Sequence, residues 1–317
     1  EAVEPGGPVK ISVAPALWPG DTFADVSRVT RVAAVAGISE VWYSEVNGYD
    51  AVALSSAVAG AGATGPMEIT VGPVPLGVRD PVLLAMGLAT VAAVAGGPVG
   101  IALGTSTPTI VESWHGREIG SPVKAMDAFL PALQDAAAGL RLTGRKGVGW
   151  SSDGFKLGVA GVNPLKVTIA ALGPRMVRFA AQHADRVVLN LVTPDQIAGF
   201  RSWLTESASG GPPPSLAAWL MTGSRDHALQ RAASLLRPYA TAPGYSRVLG
   251  ESGLADLIIK DPESAAERVG AFGAASLQDR LKTFAESGLD EVVMVVSGAD
   301  PDVRELIQTA KSMEVGI

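Results

Sequence analysis

KVTIAALGPRMVRFAAQHADRVVLNLVTPDQI, residues 166–197, is the stretch on which the fold turns. Two short β-rich runs, KVTIAAL (166–172) and RVVLNL (186–191), flank one segment of helical spacing, and Thr193-Pro194 opens the next, DQIAGFRSWL. Strand, helix, strand is the repeating unit of a parallel sheet wrapped by helices. Working outward, the alternation recurs, with strands expected at about 10–14, 40–45, 68–74, 98–103, 216–221 and 291–297. Helices are expected behind Asp21, Asp50, Asp80-Pro81 and Asp300-Pro301, where a side-chain oxygen satisfies orphan amide donors or a proline removes one. Eight strands and eight helices in strict alternation predict an α/β fold, a closed (β/α)8 TIM barrel rather than an open doubly wound sheet.

A chain of 317 residues is somewhat longer than a typical barrel, and two insertions in a single domain, 1–317, absorb the excess. RLTGRKGVGWSSDGFKLGVAGVNP (141–164) has the glycine spacing of a hairpin. As a helix-to-strand connection, it is expected away from the active face. The second insertion, about 238–287, contains PYATAPGYSRVLGESG and two extra helical stretches, and is placed to fold back over the pocket.

Composition narrows the function. Apolar residues make up 47% and charged residues 18%, which describes a folded chain with a large core. A net charge of -6 without any Lys/Arg cluster offers no footprint for nucleic acid. With no cysteine, thiolate and disulfide chemistry is excluded, and His115, His183 and His227 are too scattered for a metal site, so no metal is expected. The uncharged run from Val82 to Gly104 is long enough to test as a membrane span, but Gly96-Gly97-Pro98 divides it and no Lys/Arg flanks it. EAVEPGGPVK has no basic segment leading into an apolar one, so a soluble cytoplasmic protein without membrane partners is expected.

In a barrel, chemistry sits at the C-terminal strand ends and the loops after them. Gly173-Pro174-Arg175-Met176 ends a strand and starts a helix, either as a cradle for a phosphate on exposed amides or as an ordinary turn. Glu45, in SEVNGYD, is a strand-end carboxylate for ligand binding or proton transfer, or else a loop ion pair; Tyr49 is a pocket donor or a packed loop residue. GPVP, Gly72 to Pro75, reads as a bulge or as a cis Val74-Pro75 bond. GTSTPTIVESWHGR, 104–117, brings three hydroxyls and His115 to a turn. GxGxxG after the first strand, GxxxxGK[ST], GxSxG and HExxH are all missing, so Rossmann, P-loop and hydrolase-elbow chemistry lose support.

VWYSEVNGYDA (41–51), VGPVPL through VRDPVLLAM, IALGTSTPTIVESWHG (101–116) and the opening stretch together resemble the luciferase-like monooxygenase superfamily. Within it, they are most similar to oxidoreductases that use coenzyme F420, relatives of methylenetetrahydromethanopterin reductase. The resemblance implies a TIM barrel with insertions, commonly dimeric, with a flavin or deazaflavin across its C-terminal mouth. It implies that Gly173, Pro174, Arg175 and Met176 hold the cofactor phosphate beside Asn190, Leu191, Val192 and Thr193. It implies that Gly72, Pro73, Val74 and Pro75 form the bulge behind the ring, that Glu45 faces the ring and that Thr105, Ser106 and Thr107 line it. Val46 stands where sugar-phosphate-oxidising relatives carry a histidine, which counts against sugar oxidation.

The expected function is F420-dependent hydride transfer to or from a C=C, C=N or C=O bond of a small molecule, with Glu45, Tyr49 and His115 as candidate proton-relay groups. The alternatives are an FMN-dependent monooxygenase fed by a separate reductase and a cofactor-binding protein without turnover. Thr105 to Thr107 read as ligand-facing, and the segment after Pro108 as structural.

Overall fold

The predicted strands close on one another. The structure, a computed structural model, describes residues 9–15, 18–118, 120–208 and 211–315. The chain runs through β1 (Lys10–Ala14), α1 (Phe23–Val35), β2 (Glu40–Tyr43), α2 (Ala51–Gly60), β3 (Glu68–Pro75), α3 (Pro81–Ala95) and β4 (Val99–Gly104). A π-helical segment (Thr109–Trp114), α4 (Pro122–Ala137) and a hairpin of β5 (Arg145–Gly147) and β6 (Trp150–Ser152) follow. Next come β7 (Lys166–Ala170), α5 (Pro174–His183), β8 (Arg186–Leu189), α6 (Pro194–Ser207), β9 (Ser215–Gly223) and α7 (Arg225–Ala240). Three short helices, α8 (Tyr245–Glu251), α9 (Leu254–Lys260) and α10 (Pro262–Val269), lead to β10 (Gly270–Phe272) and α11 (Ala274–Glu286). The last elements are β11 (Glu291–Val296) and α12 (Val303–Val315).

Parallel pairing runs β11-β1-β2-β3-β4-β7-β8-β9, and β9 pairs with β11 again, so the sheet is a closed barrel. Typical registers are Ile11 against Val292 and Val71 against Ile101. β10 extends the edge of β9 at Met221–Gly223, beyond the reach of β8.

Several sequence readings change. Asp50 and Asp80 cap α2 and α3, accepting from the Ala53 and Leu83 amides at 2.8 Å. Asp21 does not cap α1: Thr22 does, in a reciprocal box with Asp25, which leaves the Asp21 carboxylate for other loops. The second insertion holds four helices and a strand instead of two helical stretches, because its glycine-punctuated segments are too short for periodicity to separate. The first insertion does not stay clear of the active face. It runs up the outside of α4, with Trp150 edge-on to Phe129 at 6.1 Å, and its tip residue Val148 shares a cleft with Leu76 and Gly77 at the end of β3. The Val82–Gly104 run divides into α3 and β4, and among the described residues no helix is long and apolar enough to cross a membrane.

Strand side chains alternate between two faces. Ile11, Val41, Ile69, Ile101, Val167, Leu189, Leu216 and Val292 pack outward against the helices in one core. The opposite parity fills the barrel in two storeys. In the lower storey, Arg186 (1% exposed) donates to Glu40 at 2.6 and 2.9 Å and to Glu291 at 2.7 Å. Ser12, Thr70, Thr168 and Lys10 complete this lattice, and Lys166 pairs with Glu68 at 2.9 Å. The upper storey is apolar: Ala14, Trp42, Ala102, Val188, Ala217, Trp219, Val293 and Val295. Period-two alternation turns both sets inward, and the order of residues along each strand places the charged floor under the apolar mouth.

Candidate active site

The mouth is aromatic. Trp42 rests on the floor cation, its ring centre 4.3 Å from the Arg186 guanidinium carbon, and meets Trp219 edge-to-face at 6.1 Å. Trp18, in the loop after β1, belongs to the same cluster. The indole Nε1 atoms of Trp18, Trp42 and Trp219 and the Ser44 Oγ are buried without a hydrogen-bond partner among the described residues. Each such donor costs about 1–3 kcal/mol when unsatisfied. A ligand rich in carbonyl acceptors suits this donor set.

The end of β3 supplies the next wall. Its pairing with β4 slips between Val71 and Val74, so the predicted bulge is present. The cis bond is at Gly72-Pro73, not at Val74-Pro75. Gly72 has φ +114°, and a Cβ there would lie 2.3 Å from the Ala102 carbonyl oxygen, so only glycine fits so close to β4. The Pro73 carbonyl accepts from the Glu45 amide at 3.3 Å, and the Leu76 amide donates to Gly104 at 2.7 Å, tying the bulge to both neighbouring loops.

Glu45 lies beside this bulge, but both of its oxygens are engaged. Arg79 donates through Nε at 3.2 Å and through Nη2 at 2.6 Å, and the Ala51 amide adds a third bond at 3.0 Å. Arg79 also holds Asp50. Burial alone would raise the Asp50 carboxyl, yet the Ala53 amide and the Arg79 guanidinium bring it below its ordinary range. The arrangement is an ionic bracket between the loops after β2 and β3. Tyr49 is 42% exposed on the outer part of the first of these loops. His115 is exposed at the end of the π-helical segment, donating its amide to the Glu112 carbonyl.

Thr105, Ser106 and Thr107 are half-buried, and the Thr107 carbonyl accepts from the Ile110 and Val111 amides at the start of the π-helical segment. π-Helical turns concentrate at functional sites. Ser106 (φ +58°) and Leu191 (φ +55°) are the only non-glycine residues with left-handed backbone among those described. Such outliers favour functional loops, and these two fall in the loops after β4 and β8 that sequence reading had singled out. At Gly173 a Cβ would meet nothing within 4 Å, and no side chain caps α5, which leaves its first amides without a side-chain partner.

The second insertion reaches this corner. Asn190 donates to the Tyr245 hydroxyl at 3.1 Å, Gln196 to the Val248 carbonyl at 2.9 Å and Arg247 to the Leu172 carbonyl at 2.9 Å, so α8 lies over the ends of β7 and β8. Burial, with the nearby Tyr239 phenol, pushes the Tyr245 hydroxyl well above its ordinary range. Sequence reading missed Arg79, Arg247, Tyr245 and the tryptophans. Strand parity could have found Trp42 and Trp219, which share the inward face with Glu40 and Ala217, two residues before each. For Arg79 and Arg247 the only signal was a lone cation in an expected active-face loop or insertion.

The structure resembles several solved proteins. One is the coenzyme F420-dependent tetrahydromethanopterin reductase of Methanopyrus kandleri, at 18% identity and TM-score 0.77, covering 96% of this chain and 98% of that one. Another is an F420-dependent secondary alcohol dehydrogenase in complex with an F420-acetone adduct, at 16% and 0.75, covering 96% and 98%. A third is the oxygenating constituent of 3,6-diketocamphane monooxygenase from Pseudomonas putida in complex with FMN, at 15% and 0.71, covering 98% and 99%. At these identities the likeness speaks for the fold. No curated protein matches the chain. The family profile described as luciferase-like monooxygenase matches residues 6–294.

Proposed function

Because the chain belongs to the luciferase-like monooxygenase family, we propose that it is an oxidoreductase that carries the deazaflavin coenzyme F420 across its C-terminal mouth. It passes hydride between that coenzyme and a C=C, C=N or C=O bond of a small organic substrate. The observation that carries this reading is the gathering, on one face of the barrel, of the Gly72–Pro75 bulge, the left-handed Ser106 and Leu191 and the uncapped start of α5. Two of the solved relatives named above work with F420.

When bound, the deazaflavin supplies a hydride donor or acceptor. The amides of Arg175 and Met176, behind Gly173 and Pro174, would take its phosphate, helped by the dipole of α5 and by Arg247 close by. Gly72 to Pro75 would back the ring, Thr105 to Thr107 and Asn190 to Thr193 would line it, and the indole N–H groups would meet its carbonyl acceptors. Apolar Ala14, Ala102, Ala217 and Val293 keep water away, which strengthens these polar contacts. Glu45, clamped by Arg79, shapes the loop instead of exchanging protons. Reduced F420 and reduced FMN, each titrated and then offered 2-cyclohexen-1-one, acetone and a cyclic imine, test the reading: F420 is expected to bind and be oxidised. Binding of neither coenzyme sinks it.

An FMN-dependent monooxygenase using a separate reductase is the second reading, supported by the FMN-bound relative. Oxygen uptake with reduced FMN favours it. A binding protein without turnover is the third, supported by the engaged Glu45 and the exposed Tyr49 and His115. Tight binding of reduced coenzyme that no substrate oxidises points there.

The protein is further proposed to be a homodimer through α2 and α3. α3 contains no charged residue, and its outer face exposes Leu83, Met86, Thr90 and Val94 beside the small Ala53, Ala57 and Gly60 of α2. A helix apolar on all sides is normally covered. Sedimentation is expected to give a dimer that Met86→Glu converts to monomer; a monomeric parent protein rejects the proposal.

A further inference from the structure

The loops after β1 and β11 are fastened to α7 by a cluster whose charged groups the coenzyme site does not use. Asp21, its side chain 2% exposed, accepts at Oδ1 from Ser297 Oγ (2.8 Å) and from Arg231 Nη2 (3.0 Å), and at Oδ2 from the Gly298 amide (3.1 Å). Arg231 also donates to the Pro19 carbonyl at 2.9 Å and to Ser297 Oγ at 3.2 Å, and its guanidinium carbon lies 5.4 Å from the Trp18 ring centre. Its remaining contact is His227 Nε2, 2.7 Å from Nη1.

That contact fixes the imidazole. A guanidinium carries donors only, so Nε2 must be the acceptor and the ring proton sits on Nδ1. His227 is half-buried in the first turn of α7, directly behind β9 and therefore on the C-terminal face. Its Nδ1–H is committed to no described residue. The other two histidines are poorly placed for substrate: His115 is exposed at a helix end, and His183 stacks on Phe179 at 4.3 Å at the far end of α5.

We propose that His227 is the hydrogen-bond donor that holds and polarises the acceptor atom of the substrate, a carbonyl oxygen or an imine nitrogen, with Asp21 and Arg231 as the positioning pair that sets its tautomer. This rests on the oxidoreductase reading for its purpose, though not for its geometry. A neutral ring with one fixed N–H polarises a double bond toward hydride, and the anionic oxygen or nitrogen that results takes its proton from solvent water while the ring keeps its own. Because the donor is anchored through Arg231 to the loops after β1 and β11, an acceptor bound there is oriented as well as polarised.

Nitrogen-15 resonances of labelled histidine in the full chain, with and without coenzyme, test the tautomer. His227 is expected to show a protonated Nδ1 and a bare Nε2, and Arg231→Met to release it to the Nε2–H form. Titration with 2-cyclohexen-1-one is expected to shift the His227 Nδ1 signal and leave His115 and His183 unmoved. In turnover, His227→Ala is expected to lose at least about tenfold in kcat/KM with coenzyme affinity unchanged. His227→Asn, whose amide nitrogen occupies the place of Nδ1, is expected to recover most of the loss. A ring protonated on Nε2, an Nδ1 signal indifferent to the ketone, or an alanine variant that turns over at the parent rate overturns the proposal. Failure of the parent protein to bind either coenzyme would instead overturn the oxidoreductase reading, and the resonance measurements would still decide His227.

Discussion

Glu45 shows how much one partner changes a side chain. As a strand-end carboxylate it is a candidate acid or base, but Arg79, 34 residues later in sequence, takes both of its oxygens. The bracket is mostly buried, at 14% and 12% side-chain exposure, so removing the cation strands a carboxylate in a poorly solvated place. Arg79→Ala is expected to destabilise the protein by about 2–3 kcal/mol, scaled down from a fully buried pair, and to weaken coenzyme binding by loosening the bulge that Glu45 anchors. Urea unfolding and coenzyme titration check this. Unchanged stability would return Glu45 to the list of free proton-transfer groups. Sequence showed Glu45 as a candidate because position relative to a strand end is a local property. It could not show the pairing, because the two loops meet there only when β2 pairs with β3.

Among the elements, the end of β3 carries the most information. Two X-Pro bonds, Gly72-Pro73 and Val74-Pro75, compete in GPVP, and local chemistry ranks neither. The close approach to Ala102 decides: Gly72 is the residue that must do without a Cβ, and the strand bulges there. Gly72→Ala is expected to cost at least about 2–3 kcal/mol from its positive φ and the displaced contact, with a lower melting temperature and weakened coenzyme binding. Calorimetry and titration read both effects, and a variant that melts with the parent would show that the bulge tolerates a side chain. The α8 helix is the opposite case. Its seven residues, YSRVLGE, lie in the insertion expected to fold back over the pocket, and its bonds to Leu172, Asn190 and Gln196 fix it over the ends of β7 and β8.

For the whole molecule, the charged floor is the feature with the widest reach, joining β1, β2, β3, β7, β8 and β11 across the barrel interior. Burial alone would raise the Glu40 carboxyl, but hydrogen bonds from Arg186 and its charge, with Lys10 and Lys166, hold it well below its ordinary 4.5. A carboxyl lowered in the folded state contributes stability that is complete above its unfolded value and is lost as pH falls through the folded one. Unfolding midpoints in urea are therefore expected to fall as the medium is acidified below 4.5, and Glu40→Gln is expected to be less stable at neutral pH and less sensitive to acid. A variant with the parent's acid response would place that sensitivity elsewhere. The floor also explains the split interior: six charged side chains share the lower storey, so the apolar residues of the same strands stand at the mouth.

Sequence by itself determined the eight strands, the closed barrel they predict and the face on which chemistry belongs. Each of these follows from short-range signals: period-two and period-3.6 patterning, prolines that open helices and glycines that end strands. Tertiary structure alone decided that Glu45 is clamped by Arg79, that the cis bond lies at Gly72-Pro73, that Arg247 of α8 holds the Leu172 carbonyl and that Arg231, the partner of His227, is held by Asp21. All four depend on segments far apart in the chain that become neighbours only when the strands pair and the barrel closes, and the partner of a charge or the room beside a backbone is set by that assembly.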